Sequence, residues 1–419
     1  MNRRCFALKL RRIVAETPSN LLITHLLIKQ TLPICHPMQR FHRPAYLHAP
    51  KVFLPGPPIA NADMATYLGH HRGLKSKFAS LVLRKNGIKT RHYARQPDGS
   101  WLYDLASMSA QAATSALEAS HLRVADIGAI YSACTLGDHL VPGCASQVHA
   151  RLAEAQGGWA GKELASFQSV CAASAMALRA ACAAVRAGDQ AHVLLTGGEF
   201  ASRYLHANQY SFMGEEALPF EAEFLRYTLS DGGGAALVSA DRPAQGPYLK
   251  VLGMDIRSYA DRFPVCMSGG AARGQRGGWT PWTSFSSAVA AAQAGAFHLQ
   301  QDFALLDTLV EAWVHHYLDL LGSGMLHCED FDFVVSHYSA KSLRDRALKL
   351  LEAAGALVHQ DKWYSNLAQT GNIGTASVFA LLQGFLASDH ATPGTRILVH
   401  VPESGRGLNA LMLMEICDT

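Results

Sequence analysis

Cys171 stands where two segments of opposite character meet. Ahead of it, ASFQSV (165–170) reads as extended chain. Behind it, Ala172 to Ala187 is dense in Ala, Leu, Met and Arg with no Gly or Pro, the composition of a helix. Gly188-Asp189 ends that helix, and His192 to Thr196 reads as a buried strand. A cysteine between a strand and a helix faces free N–H groups and the positive helix end, both of which stabilise a thiolate. The functional reading is an activated nucleophile; the plain one is a small packed residue, since free cysteine is among the most buried types.

A nucleophile needs partners, and the chain offers them through an internal repeat. ADIGAIYSACT (125–135) resembles EDFDFVVSHYS (329–339), which aligns Ser132 with Ser336 at an offset of 204. The Ala-rich helix resembles TASVFALLQGFLASDHATPG, aligning Ser174 with Ser377 at 203, and HVLLTGGE matches RILVHVPE, aligning Leu195 with Val399 at 204. Chance likeness of apolar strands does not explain three offsets that agree to within one residue. A duplication follows. Two strand–helix repeats related by a pseudo-twofold bring corresponding strand ends to one centre, and open α/β sheets place their sites at such ends. The second-half strand Phe331 to Val335 ends in Ser336-His337, and the loop matching the Cys171 turn is TGNIG (370–374). Cys171, His337 and Asn372 are therefore expected to converge. A cysteine nucleophile with histidine and asparagine donors suits carbon–carbon bond formation between thioesters.

The 419 residues are long enough for two domains or one large duplicated one, and 49% hydrophobic with 17% charged residues suits a compact α/β enzyme. Nine cysteines without CxxC spacing indicate neither a disulfide scaffold nor a zinc site, and suit a reducing, cytoplasmic setting. HExxH, P-loop and GxGxxG motifs are absent, no apolar run reaches the length of a membrane span, and no cofactor is indicated. Residues 1–37 hold six basic residues against Glu16, a net of +5; the stated +4 then leaves −1 for residues 38–419. The basic balance is an end effect and does not argue for nucleic-acid binding. Residues 1–44 are expected to lie outside the fold, with translation starting at Met38 preferred over a transit peptide because the stretch is poor in serine. Residues 45–240 and 241–419 are expected to form the two halves. Ala45 to Phe53 reads as a strand, Asn61-Ala62-Asp63 as a helix cap, Ser107 to Ser120 as a helix and Ile127 to Ser132 as a strand.

SVCAASA, SDGGGAAL (230–237), Ser336-His337 and TGNIGTAS (370–377) resemble β-ketoacyl-acyl-carrier-protein synthase III of the thiolase superfamily. RKNGIKTRHYA (84–94) is similar to that family's early loop and HLVPGCASQVH (139–149) to its dimer-contact segment. The resemblance runs in order over about residues 45–419. It implies an α/β fold of five layers, αβαβα, with duplicated halves, and a homodimer. Cys171 carries over as the acylated nucleophile, and His337 with Asn372 as the pair that binds the second thioester. Ser404 and Gly405 fall in the oxyanion loop, and Val141, before Pro142, at the position that reaches into the partner subunit's acyl tunnel. Two departures bear on substrate. PESGRG (402–407) places Glu403 and Arg406 where the family has glycines, and GHHRGLKSKFASLVLRKNG (69–87) lacks the tryptophan that stacks on coenzyme A. PESGR, HYS (337–339) and KWYSNL (362–367) are more similar to the dialkylresorcinol-forming, secondary-metabolite branch. The alternative function is a transferase of the same fold that passes the acyl group to an alcohol or amine. A catalytically silent dimer partner is disfavoured because Cys171, His337 and Asn372 are all present.

Other polar groups read more plainly. His327-Cys328-Glu329-Asp330 has metal-ligand types, but four adjacent residues cannot all face one ion, so a polar turn is expected. His70-His71 and His315-His316 read as surface or helix-face residues, and Asp231 as a group that fixes a turn. Lys341, Arg344, Arg346 and Lys349 follow His337 on an expected helix; Lys341 and Arg344 are candidates for docking an acidic acyl carrier protein, with coenzyme A as the other possible acyl carrier. Acyl-carrier thioesters are thus predicted to load Cys171 faster than matching coenzyme A thioesters, with an advantage that shrinks as salt rises. Charge reversal at Lys341 and Arg344 should slow only the carrier reaction. Equal, salt-insensitive loading rates would restore coenzyme A as the donor.

Overall fold

The computed structural model describes residues 39–40, 43–212, 217–274 and 278–418. Residues 1–38 and 41–42, on which most of the expected N-terminal extension falls, lie outside the described residues. Ten strands carry the fold: β1 Tyr46–Phe53, β2 Ala129–Cys134, β3 Glu163–Gln168, β4 His192–Glu199, β5 Gly232–Ser239, β6 Tyr248–Arg257, β7 Phe333–Ser336, β8 Trp363–Tyr364, β9 Arg396–Pro402 and β10 Asn409–Cys417. Their spatial order is β8-β7-β9-β10-β6-β1-β5-β4-β2-β3. It reads alike from both ends: in each half two parallel pairings, β3-β2-β4 and β8-β7-β9, are followed by two antiparallel ones. The halves join through β1 and β6, which pair from Tyr46↔Lys250 to His48↔Tyr248.

Register carries the repeat to single residues. Tyr131 faces Leu195 in the first half and Val335 faces Val399 in the second. Ser132 faces Thr196 as Ser336 faces His400. These are the same 204-residue offsets that the sequence shows. The expected strand starts at Ile127 and Phe331 move to Ala129 and Phe333, because Val124–Asp126 and Cys328–Asp330 form short 3-10 turns.

Six helices build the layers: α1 Leu105–Ser120, α2 Cys144–Ala155, α3 Ala173–Ala187, α4 Phe303–Ser323, α5 Lys341–Ala353 and α6 Ser377–Leu386. Strand residues alternate between two buried faces, so most strands are apolar throughout. Ala133, Leu195 and Val238 from one half, with Val335, Val399 and Met412 from the other, pack on Leu178, Ala181 and Val185 of α3 and Leu381, Leu382 and Phe385 of α6. Ile130, Leu194 and Leu237 face α1 and α2 instead. Val334, Leu398 and Leu411 face α4 and α5. Five layers result, with α3 and α6 in the middle.

The helix ends show local chemistry at work. Asp104 accepts the Ser107 N–H at 2.6 Å while Ser107 Oγ accepts the Asp104 N–H at 2.9 Å, a reciprocal cap that starts α1 two residues ahead of the expected Ser107. α3 ends at Gly188 in the left-handed conformation, φ 86°. The expected Asp63 cap is corrected: the five-residue helix Met64–Leu68 has no side-chain cap bond. Neighbouring Asn61 serves tertiary contacts instead, donating to Ile88 O and accepting from Arg91.

The central layer is tight at Gly234 of β5, where an added Cβ would lie 2.7 Å from Phe379 Cβ and 2.8 Å from its Cγ. Phe379 sits on buried α6 and has no room to withdraw. Gly234→Ala is predicted to destabilise the protein by about 1–3 kcal/mol, the usual cost of overpacking. Urea denaturation measures this, and a change below about 0.5 kcal/mol would mean the layer yields.

Candidate active site

Cys171 sits between β3 and α3 with φ 34°, a left-handed backbone that a non-glycine residue adopts at a cost. The Ala172 N–H turns back onto the Val170 carbonyl, which makes the bend sharp. The side chain thereby leaves the strand line and enters a pocket of about 550 Å³ lined also by Asn372, Ser339 and Ser404. Leu136, Phe200, Tyr204, Phe224, Leu225, Met267 and Leu299 make the remaining wall largely apolar.

The helix end expected to stabilise a thiolate at Cys171 is not the whole of its environment. Burial, then the charges of Glu199 and Glu403, push the Cys171 thiol well above its ordinary range. A helix end contributes a partial charge; loss of water and two nearby carboxylates outweigh it. Any reaction at this sulfur would start from the thiol.

Glu199, at the end of β4, closes an ordinary apolar run, and nothing in the sequence singles it out. Its Oε1 accepts Thr135 Oγ1–H at 2.6 Å, Thr135 N–H at 3.0 Å, Thr375 Oγ1–H at 3.0 Å and Thr375 N–H at 3.3 Å. Burial raises its pKa, and those bonds to the ionised form oppose the rise. One carboxylate thus ties the loop after β2 to the start of α6. Gly374 makes this possible: it has φ 49°, and an added Cβ would come within 2.6 Å of Glu199 Cδ.

The second half supplies the donors. Asn372 is held by Thr228 O on its N–H at 3.2 Å and by Ser230 N–H on its carbonyl at 2.9 Å. Its Oδ1 accepts the Gly374 N–H at 2.9 Å, which leaves Nδ2 as the side chain's donor toward the pocket. His337 does not line the pocket, but Ser339, two residues on, does. The His337 ring is buried, and Nε2 has no partner among the described residues. Burial pushes its pKa down from 6.5 to about 4, so the imidazole is neutral at physiological pH. Cys171, Asn372 and the exit of β7 are thus brought together.

The loop after β9 is shaped by Glu403. Its Oε2 accepts the N–H groups of Arg406 and Leu408, both at 3.0 Å, and its Oε1 lies 3.3 Å from Ser169 Oγ. The Gly405 carbonyl accepts from Cys266 and Met267 N–H at 2.8 and 3.2 Å, which fixes that peptide beside Ser404. Val141 and Leu140 project from the protein, each 83% exposed. Lys341 and Arg344 lie on the outer α5, both bonded to Asp345, while Arg346 turns to Glu311 and Asp307 of α4.

Several plain readings need revision. His316 is fully buried rather than on a surface face, bonded to Asp255 and Asn409. His71 is buried while His70 is exposed. Asp231 joins three segments, accepting from Ala94 N–H, Ser202 N–H and Ser202 Oγ–H. One plain reading stands: Asp330 accepts the His327 N–H at 3.0 Å, so HCED is the expected polar turn. Among the described residues no group of His, Cys, Asp and Glu could hold a metal ion, and no helix is long and apolar enough to cross a membrane.

Known proteins share these features. Residues 166–259 match the family described as 3-Oxoacyl-[acyl-carrier-protein (ACP)] synthase III. A beta-ketoacyl-[acyl-carrier-protein] synthase III of Allorhizobium ampelinum is 26% identical over 365 residues, 86% of this chain and 96% of the relative. One of Thiobacillus denitrificans is 31% identical over 159 residues, 38% of this chain and 45% of the relative. The chain thus matches about half the length of that relative, and 49% of a third from Sphingopyxis alaskensis. Among solved structures, the tetronic acid condensing enzyme AbyA1 superposes with TM-score 0.69 at 22% identity, covering 88% of this chain and 99% of its own. A variant of Xanthomonas campestris OleA gives 0.67 at 18%, covering 91% and 100%. The synthase III FabH of Pseudomonas aeruginosa gives 0.65 at 19%, covering 90% and 99%. The five layers and mirrored strand order define a thiolase-fold protein. Within that fold the chain is similar to β-ketoacyl-acyl-carrier-protein synthase III proteins, and residues 166–259 match their family.

The buried neutral histidine has a stability consequence. Above about pH 7 His337 is neutral in the folded and unfolded chain alike and contributes nothing. Below its ordinary value the unfolded chain binds a proton that the folded site refuses until about pH 4, so stability is lost across that window. At pH 5 the loss from this one group is about 2 kcal/mol. His337→Gln is predicted to flatten the pH dependence of unfolding by about that amount between pH 7.5 and 5. Identical pH profiles by urea denaturation would show that the ring is charged or solvated in the fold.

Proposed function

We propose that this protein is a condensing enzyme that takes an acyl group from a thioester onto Cys171 and joins it to a second thioester. The observation that carries the reading is the convergence of Cys171, on a left-handed strand-to-helix turn, with Asn372 on one largely apolar pocket. His337, whose Nε2 has no partner among the described residues, is two residues before Ser339 on the pocket wall. The apolar wall suits an alkyl chain, and Cys171 and Asn372 give the pocket a polar end.

In the first stage Cys171 Sγ attacks the thioester carbonyl and loses its proton, and the carrier thiol leaves with a proton. N–H groups of Cys171 and the Ser404-Gly405 loop hold the oxyanion; loss of one such donor costs about 3–4 kcal/mol. In the second stage the incoming thioester places its carbonyl oxygen between His337 and Asn372. Neutral His337 donates from Nε2 and Asn372 from Nδ2 to the enolate formed by loss of carbon dioxide or of an α proton. The enolate carbon attacks the acyl group, a carbon–carbon bond forms and the Cys171 thiolate departs. No metal or redox cofactor enters these steps.

Finer points belong to the same proposal. The acyl donor is a carrier-protein thioester met by α5 through Lys341 and Arg344, and the second substrate is a malonyl or β-ketoacyl thioester of fatty-acid, polyketide or dialkylresorcinol-type synthesis. Two copies pair so that the exposed Leu140-Val141 tip is covered and Val141 reaches the neighbouring acyl tunnel. The protein acts in the cytoplasm, with residues 45–240 bringing the nucleophile and 241–419 the donors.

Intact-mass analysis after incubation with acyl thioesters tests the reading. Cys171→Ala should abolish the adduct, whereas His337→Ala and Asn372→Ala should load normally and lose more than 90% of product formation, about the loss of one or two transition-state donors. An undiminished adduct in Cys171→Ala would move the nucleophile to Cys134 or Cys182. Normal condensation by both donor variants would favour acyl transfer to an alcohol or amine.

A further inference from the structure

Behind His337 runs a line of buried polar side chains that the reaction scheme leaves unused. Asp255 of β6 accepts His316 Nε2–H at 2.7 Å across to α4. His316 Nδ1 lies 3.0 Å from Asn409 Nδ2, and Asn409 Oδ1 lies 2.9 Å from His400 Nε2. His400 Nδ1 then meets Ser336 Oγ at 3.1 Å, and that same Oγ is 3.3 Å from the His337 carbonyl. His316 and Asn409 are 0% exposed and Ser336 2%. At the outer end Arg257 donates to Asp255 at 2.9 Å and to Asp319 at 3.3 Å, so the line begins in a surface ion pair.

Proton counting gives the line one direction. Asp255 can only accept while ionised, so His316 carries its proton on Nε2 and leaves Nδ1 bare. Asn409 must then present its amide N–H to His316 and its carbonyl to His400. That places the His400 proton on Nε2 and leaves Nδ1 to accept from the Ser336 hydroxyl, whose single proton is then not given to the His337 carbonyl. Both imidazoles are neutral in this scheme. Burial lowers His316, and burial again takes His400 to about 3, in keeping with it. The surroundings are dry at the inner end: His400 shares a pocket with Val314, Leu351, Leu398 and Leu411. In such a medium each bond strengthens its neighbours, and a broken member leaves a costly unpaired group.

We propose that Asp255, His316, Asn409, His400 and Ser336 are positioning residues that hold His337 in register for the second half-reaction. His400 grips the catalytic strand end twice. Its carbonyl accepts the His337 N–H at 2.9 Å, and its ring takes the hydroxyl of the residue before His337. Among the described residues the His337 ring has no partner at Nε2 to orient it, so its aim depends on this backbone hold. The first half lacks the device: Ser132, matching Ser336, bonds Thr196 at 2.7 Å where the second half has His400. The half with the nucleophile needs no aimed imidazole. This inference rests on the condensation role of His337.

The test separates loading from condensation in Asn409→Leu, which breaks the line, and Ser336→Ala, which removes its last member. Both should acylate Cys171 at the wild-type rate. Each should lose about 10- to 100-fold in condensation kcat, the cost of a displaced catalytic group, with KM for the second thioester little changed. The double variant should be no worse than the more damaged single one, because both cut the same line. Asp255→Asn, which still accepts from His316, should keep most activity. Nitrogen-15 spectra of histidine-labelled protein should show His316 and His400 as neutral Nε2–H tautomers, a readout that stands even if Asn409→Leu fails to fold. Wild-type condensation in folded Ser336→Ala and Asn409→Leu, loading that falls in step with condensation, or Nδ1–H tautomers would each overturn the inference. His337→Ala run beside them tells the two ideas apart: if it condenses normally, the role of His337 itself is wrong. If it alone is inactive, only the line is.

Discussion

The whole site depends on two helix starts meeting back to back between the two halves of the sheet. Ser174 Oγ, in the first turn of α3, donates to the Thr375 carbonyl just ahead of α6 at 2.6 Å. Glu199 then reaches the same Thr375 from the end of β4. These contacts fix the loop that carries Asn372 against the turn that carries Cys171, though the two lie 201 residues apart. Everything else in the architecture keeps them there. The inner sheet faces supply the apolar bed for both helices, and Gly234 lets Phe379 of α6 lie directly on β5.

Duplication gives symmetry in the strands and asymmetry in the chemistry. Tyr131↔Leu195 and Val335↔Val399 superpose the two halves, yet one half ends its turn in a thiol and the other in an amide. The strand ends diverge as well: β2 runs on into Thr135, which binds Glu199, while β7 runs on into His337. Hydroxyl bonds such as Ser132 to Thr196 are enough to hold a strand. An imidazole that must point at a substrate needs a longer chain of support, which suits a role for His400 and Asn409 in one half alone.

Much of this was legible in the chain. The constant offset exposed the repeat, the Cys171 turn announced itself by a change from extended to Ala-rich sequence, and His337 and Asn372 followed from the alignment of the halves. What stayed hidden is tertiary by nature. Glu199 ends an apolar strand like many others, and only the fold reveals that four donors converge on it. His316 looks like a helix-face residue because its acceptor, Asp255, is 61 positions away. The resting state of Cys171 also lay beyond local reading, since helix polarity is visible in sequence and loss of water is not.

The electrostatics of the pocket follow from that last point. Glu199 and Glu403 both stand near Cys171, and neither is free to serve as a base without giving up bonds that shape the site. Burial first, and then their negative charge, hold the Cys171 thiol well above its ordinary range. On the proposed reaction the same field disfavours an enolate, so its donors have to be close, directed and dry. A neutral His337 and an Asn372 with its Oδ1 already engaged meet that demand without adding a positive charge that burial would expel. The proposed chemistry therefore works by directed dipoles more than by net charge, and directed dipoles have to be held still.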